Sequence, residues 1–338
     1  MKAMVLKAPR ELMLNEVACP DAGADQVLVR VSHSGVCGTD LKIYNGAIPV
    51  SYPRIMGHEV VGTVIEENGN AAFRCGDKVI IDPVLFCGAC FHCRIGQTEL
   101  CPNGTLLGRD ANGGFAKYVA APASHVFRLP DSIDSRSAPL IQVLTTCLHA
   151  QRLTNLFPGE SVVVLGLGVS GQLHAQLAKA RGASPVIGIT RSTAKRELAE
   201  RLGADLTVAS GEDSIQQVLE ATYGRGADLV IDSTGVMPSL ASAVAMARFG
   251  GRLLLFGINT ASEAALPFYQ LYLKELLIIN ARAAKSEDYP SSIDLVRRGA
   301  VRLEQLVSDV MPLRKLKEAI EMLSIDSSRR MKVILEHG

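Results

Sequence analysis

The sequence predicts an α/β protein of two folding units, one β-rich and one built on a doubly wound parallel sheet. Three observations lead to that reading. Residues 151–284 alternate β-branched runs with helical patterns, as parallel strands joined by crossover helices require. Residues 1–150 instead carry short alternating runs broken by Gly, Pro and Asn, the pattern of strands joined by turns. At 338 residues the chain is long for one core and suits two of ordinary size.

Taken in order, the β-rich part offers strands over Gln26–Val31 and Val60–Glu66. The parallel sheet draws on Val162–Leu165, Val186–Ile189, Leu206–Val208, Leu229–Ile231, Arg252–Phe256 and Leu276–Ile279. From about residue 285 the chain is mixed again, and Lys332–Leu335 reads as a strand able to rejoin the first unit.

Between the first parallel strand and its helix stands Gly166-Leu167-Gly168-Val169-Ser170-Gly171, a GxGxxG turn. Gly166 permits the sharp turn, Gly168 admits a pyrophosphate, and Gly171 lets helix pack on strand. The free N–H groups of the helix start, at Val169 and Ser170, would carry the phosphates of a dinucleotide. The next strand ends in Thr190-Arg191-Ser192, where an acid would otherwise bind the ribose 2′-hydroxyl. A guanidinium flanked by hydroxyls suits a 2′-phosphate, so NADP is expected over NAD.

The 35 Lys plus Arg against 34 Asp plus Glu give a net charge of +1, and no basic run appears, which argues against nucleic acid as partner. No apolar run reaches membrane-spanning length, and the N-terminal stretch lacks the apolar core of a signal peptide. A soluble cytoplasmic protein is expected. In a reducing compartment clustered cysteines point to metal rather than disulfides. Cys87, Cys90, Cys93 and Cys101 provide four thiolates that close a tetrahedral sphere, the arrangement of a structural zinc. Cys37 and His58 are a mixed sulfur and nitrogen pair, of the kind that holds a catalytic zinc with a position left open.

The set GVCGTD from Gly35, GHE from Gly57, the four-cysteine loop, GDKV from Gly76, GGFAKYV from Gly113 and GLGVSG from Gly166 resembles the zinc-dependent medium-chain dehydrogenase/reductase family. The resemblance runs the length of the chain and is nearest to the polyol, threonine and secondary-alcohol branch. It implies a GroES-like catalytic domain over 1–150, with a zinc lobe at about 86–102 and a return over 285–338, and a Rossmann domain over 151–284. It implies Cys37 and His58 as catalytic zinc ligands with Glu59 beside the metal and able to ligate. Thr39 would take the substrate proton, and Asp40 would orient His58. Thr146 and Ile258 would lie near the nicotinamide. The family's further ligand, an acid or cysteine, falls at Gln142; Glu59 or Cys147 could ligate instead.

The activity so implied is reversible hydride transfer between a secondary alcohol, polyol or sugar hydroxyl and NADP, in a homodimer or homotetramer that pairs through Leu276–Ile279. Lys42, Tyr44 and Arg282 would favour a polar substrate. A zinc-free reductase of the same fold, or a cofactor-binding protein without the catalytic metal, are the other readings, and Gln142 keeps the last open.

Overall fold

The β-branched runs of the middle of the chain assemble as one sheet in a computed structural model that describes residues 1–259, 265–325, 328 and 330–338. In spatial order its strands are Leu206–Ala209, Val186–Thr190, Val162–Leu165, Ala227–Asp232, Ala247–Leu255 and Leu277–Asn280, every pairing parallel. Val162–Leu165 is buried throughout because both faces are covered. Val163 and Leu165 join one apolar cluster with Ile187 and Val230, while Val162 and Val164 join another with Leu229 and Leu254. A strand with two apolar faces reads as an unbroken apolar run, which is why this stretch is conspicuous in the sequence.

Strand order reverses beside Val162–Leu165, and the glycine turn leaves from the end of that strand. Ligands of such sheets bind at this switch point, outside the carboxyl ends of the strands. The fifth strand begins earlier than its apolar run predicts. Ala247–Leu255 carries a register irregularity opposite Ala227 and Leu229, and Gly250 takes a φ of 66°. Arg248, Phe249 and the two glycines conceal that extension. This unit comprises Thr146–Ala284 with Arg298–Arg302.

The other unit comprises Met1–Thr145, Lys285–Arg297 and Leu303–Gly338. Its main sheet runs Val126–Arg128, Lys78–Ile81, Glu59–Glu66, Gln26–Val36, Lys332–Glu336, Val307–Pro312, with Tyr118–Pro122 also paired to Gln26–Val36. The tail strand Lys332–Glu336 lies antiparallel against Gln26–Val36, so the chain end does rejoin this sheet. Gln26–Val36 is eleven residues long rather than the six its alternation suggests. Ser32, His33, Ser34 and Gly35 break the apolar pattern. The polarity of the two serines is met internally: Ser32 Oγ donates to the Val61 carbonyl at 3.2 Å, and Ser34 Oγ lies 2.8 Å from His337 Nε2.

His174 is wholly buried in the parallel-sheet unit, its ring edge-on to Phe256. Burial lowers its pKa from 6.5 to about 3. The folded imidazole therefore stays neutral while the unfolded one binds a proton, and stability is lost as pH falls below 6.5. At about 1.4 kcal/mol per pH unit this amounts to about 2 kcal/mol between pH 7 and pH 5. We expect His174→Met to flatten the pH dependence of urea unfolding by that amount over this interval. An unchanged dependence would exclude His174 as the titrating group.

Candidate functional site

Cys37 follows the strand Gln26–Val36 and is the N-cap of the helix Gly38–Tyr44. The helix starts there because Asp40 folds back: its Oδ2 accepts from the Cys37 backbone N–H at 2.8 Å, satisfying a donor that has no partner within the helix. The other oxygen of Asp40 is 3.6 Å from His58 Nδ1. One buried carboxylate thus fixes both the turn carrying Cys37 and the imidazole of His58, which precedes the strand Glu59–Glu66. Burial alone would lower the pKa of His58, but Asp40 and the Cys37 sulfur outweigh it and hold the imidazole well above its ordinary value. Thr39 Oγ1 lies 3.8 Å from Cys37 Sγ.

Glu59 is fully buried and makes an ion pair with Lys332, itself only 4% exposed, at 2.7 Å from Nζ to Oε1. Lys332 also donates to the Val36 carbonyl at 3.2 Å. Burial would lower the lysine's pKa, yet Glu59, Cys37 and Asp40 together raise it. Oε2 of Glu59 has no hydrogen-bond partner among the described residues. Ligand atoms of Cys37, His58 and Glu59 lie within 4.8 Å of one another. A buried carboxylate oxygen left unsatisfied costs about 1–3 kcal/mol or more, and a cation among these three donors removes that cost. With a dication, a thiolate and a neutral imidazole, the charges of Cys37, Asp40, Glu59 and Lys332 balance. The donor set therefore fits zinc.

The four-cysteine loop forms a second group whose sulfurs also lie within 4.8 Å of one another. Cys87 and Cys101 Sγ are 3.5 Å apart, and Cys90 and Cys101 Sγ 3.8 Å apart. These separations are too long for a disulfide. They approach the edge of about 3.8 Å expected of a tetrahedron with zinc–sulfur bonds of about 2.3 Å. The Cys87 amide donates to Cys101 Sγ and the Cys93 amide to Cys90 Sγ, as thiolates in such a knuckle require.

In the parallel-sheet unit, Gly166 has a φ of 83°, the left-handed conformation its turn needs. A Cβ on Gly171 would stand 1.8 Å from the Gly166 carbonyl oxygen, so only glycine allows the helix Val169–Ala180 this close to the turn. A Cβ on Gly168 would meet nothing within 4 Å. The turn is therefore tight behind and open where a pyrophosphate would approach. Thr190 ends its strand, Arg191 is exposed, and Ser192 caps the helix Thr193–Arg201 by accepting from the Lys195 amide at 3.3 Å.

Gln142 is buried near the start of the helix Leu140–Arg152, and Thr146 is half-buried on it. Ile258 is exposed after the strand Ala247–Leu255. Cys147 is fully buried, with burial pushing its thiol up and its sulfur 3.8 Å from the Ser170 carbonyl oxygen; it belongs to the packing against the glycine turn. The Tyr44 hydroxyl, expected to face substrate, donates to Glu321 at 3.3 Å and is buried among apolar residues. Lys332 was legible only as the head of an apolar strand. A lone lysine before Val-Ile-Leu carries no spacing that would mark it as the partner of Glu59.

Residues 23–131 match the family described as alcohol dehydrogenase GroES-like domain, and residues 169–298 the family described as zinc-binding dehydrogenase. The chain is similar to sorbitol dehydrogenase of Bacillus subtilis, 31% identical over 343 residues that cover 99% of this chain and 97% of that one. A Sinorhizobium meliloti protein solved bound to NADP superposes with a TM-score of 0.94 and 30% identity, over 99% of this chain and 98% of that one. An Escherichia coli CFT073 protein solved with NADH gives 0.92 and 29%, over 99% of both.

Asp40→Asn keeps the shape of the side chain but loses the charge that orients His58. It should weaken metal binding at Cys37 and His58 roughly 10–100-fold. Chelator competition measures this, with the four-cysteine site as internal reference. Unchanged affinity would remove Asp40 from the metal's support.

Proposed function

We propose that this chain, which belongs to the zinc-binding alcohol dehydrogenase family, transfers a hydride reversibly between a secondary alcohol, polyol or sugar hydroxyl and NADP. It is an NAD(P)-dependent oxidoreductase of alcohols or polyols with a GroES-like and a Rossmann-type unit. The observation that carries the proposal is the set of half-buried Cys37 with buried His58 and Glu59, and the carboxylate oxygen of Glu59 left unsatisfied among the described residues.

Zinc at that set supplies a Lewis acid that lowers the pKa of a hydroxyl, and the nicotinamide supplies the hydride acceptor. The chain's own residues do the rest. Cys37 and His58 would hold the metal, with Glu59 or Gln142 as the third donor and a position left open for substrate, and Asp40 keeps the imidazole in position. Thr39 would accept a hydrogen bond from the substrate hydroxyl and relay its proton, giving up its own toward solvent as the substrate's arrives. Gly166, Gly168 and Gly171 shape the pyrophosphate turn, where Val169 and Ser170 offer backbone N–H groups. Thr190, Arg191 and Ser192 receive the 2′-phosphate, with Thr146 and Ile258 beside the nicotinamide. Cys87, Cys90, Cys93 and Cys101 hold a second, structural zinc.

A polyol as substrate is supported by the likeness to sorbitol dehydrogenase. A homodimer is supported by the sheet edge. The strand Leu277–Asn280 and the helix Phe268–Leu273 before it leave Phe268, Tyr269, Tyr272 and Leu277 exposed, an apolar surface suited to a second copy. None of the described helices is long and apolar enough to cross a membrane, and we assign the protein to the cytoplasm.

Zinc content and cofactor choice test the proposal together. Protein purified without chelator should carry two zinc ions per subunit and oxidise polyols with a higher kcat/KM for NADP than for NAD. Arg191→Asp should lower kcat/KM for NADP by roughly 10–100-fold, as loss of charge-assisted hydrogen bonds to a phosphate would. One zinc per subunit would overturn the catalytic metal. Equal or better use of NAD would overturn the NADP assignment.

A further inference from the structure

Three neighbouring strands of the mixed sheet meet at one point. Glu59 opens the strand Glu59–Glu66 and is the register partner of Gly35 on Gln26–Val36. On the far side of Gln26–Val36 runs Lys332–Glu336, and Lys332 opens that strand. Glu59 and Lys332 thus stand two strand spacings apart, about 10 Å between backbones. Their side chains nevertheless meet at 2.7 Å, which requires them to cross over the strand between.

Gly35 makes that crossing possible. A Cβ built there would lie 1.9 Å from Glu59 Oε2 and 2.9 Å from its carboxyl carbon. Gly35 does not take a positive φ, so the backbone does not call for glycine; the space does. A glycine inside a strand costs about 0.5–1 kcal/mol relative to alanine. A buried ion pair is seldom a net source of stability either. Both features weaken the sheet and both serve to hold one carboxylate.

We infer that Gly35 and Lys332 are positioning residues that form a seat for the Glu59 carboxylate at the edge of the metal site. One oxygen is committed to Lys332 and the other left uncommitted. The inference rests on the reading of Cys37, His58 and Glu59 as a metal centre, and adds what governs the approach of Glu59 to the cation. The lysine and the metal compete for one carboxylate. Weakening the lysine's hold favours the metal, and filling the niche displaces the carboxylate from its seat.

The test is a double-mutant cycle in the full chain, with the four-cysteine site left loaded and Co2+ as probe at the second site. Lys332→Met should tighten Co2+ about tenfold, and the same change in a Glu59→Ala background should not. Gly35→Ala should shift the visible band of bound Co2+ when Glu59 is present and leave it in place when residue 59 is alanine. If Gly35→Ala alone does not fold, recovery of folded protein by adding Glu59→Ala supports the seat. Failure of both overturns it, as does any change of equal size in the two backgrounds, or no change in either. Absence of Co2+ binding by the wild type would overturn the metal centre itself. The seat is then read, without Co2+, from the urea midpoints of the wild type, Gly35→Ala, Glu59→Ala and the Gly35→Ala/Glu59→Ala double variant, where Gly35→Ala should destabilise only when Glu59 is present.

Discussion

The β-rich unit depends on the pairing of Gln26–Val36. This strand is hydrogen-bonded to Glu59–Glu66, to Tyr118–Pro122 and to the tail strand Lys332–Glu336, and so joins segments from both ends of the chain. It also sets the site. Its last residues lead into Cys37, its partner strand opens with Glu59, and its other partner opens with Lys332. Because side chains alternate along a strand, a slip of one residue would turn the facing set to the opposite side of the sheet. The register that pairs these strands is thus the one that brings Cys37, His58 and Glu59 together.

That alignment concentrates charge where water is absent. Asp40 and Glu59 are fully buried, His58 and Lys332 nearly so. An isolated buried charge is untenable, so each must be neutralised or paired. Asp40 is paired with His58 and with the Cys37 amide; Glu59 is half satisfied by Lys332. Among the described residues Oε2 of Glu59 and Oδ1 of Asp40 have no hydrogen-bond partner, and ligand atoms of Cys37, His58 and Glu59 lie within 4.8 Å of one another. Protons can balance the group when no cation is bound, which is why the imidazole of His58 holds one so readily. A metal must displace that proton, so binding weakens in acid.

Much of this was legible beforehand, for reasons that differ between residues. The parallel sheet announced itself because strands buried on both faces are continuous apolar runs. The cluster of four cysteines was legible because it is local in sequence, and the glycine turn because its spacing is a steric requirement: Gly171 admits no Cβ and Gly168 faces open space. The second half of Gln26–Val36 was hidden, since Ser32, Ser34 and Gly35 follow no apolar alternation. Gly35 and Lys332 were hidden for a related reason. Their significance lies in a cross-strand contact separated by 273 residues from Lys332 to Glu59, and no period or local motif encodes such a pair.

The two clusters of side chains that could hold a metal differ in how they are tied to folding. The four cysteines lie between residues 87 and 101, so their site closes over a short loop whose entropic cost is small. The group of Cys37, His58 and Glu59, with Lys332 paired to Glu59, exists only when three strands have paired, one of them from the chain's last residues. Its donors are therefore brought together by the sheet rather than by proximity in sequence. A ligand that binds only the assembled arrangement stabilises the sheet by mass action, and strain introduced anywhere along the three strands is felt in its affinity. The four-cysteine lobe lacks that coupling. A metal at the dispersed cluster would depend on closure of the whole unit, whereas a metal among the four cysteines would depend on fifteen consecutive residues.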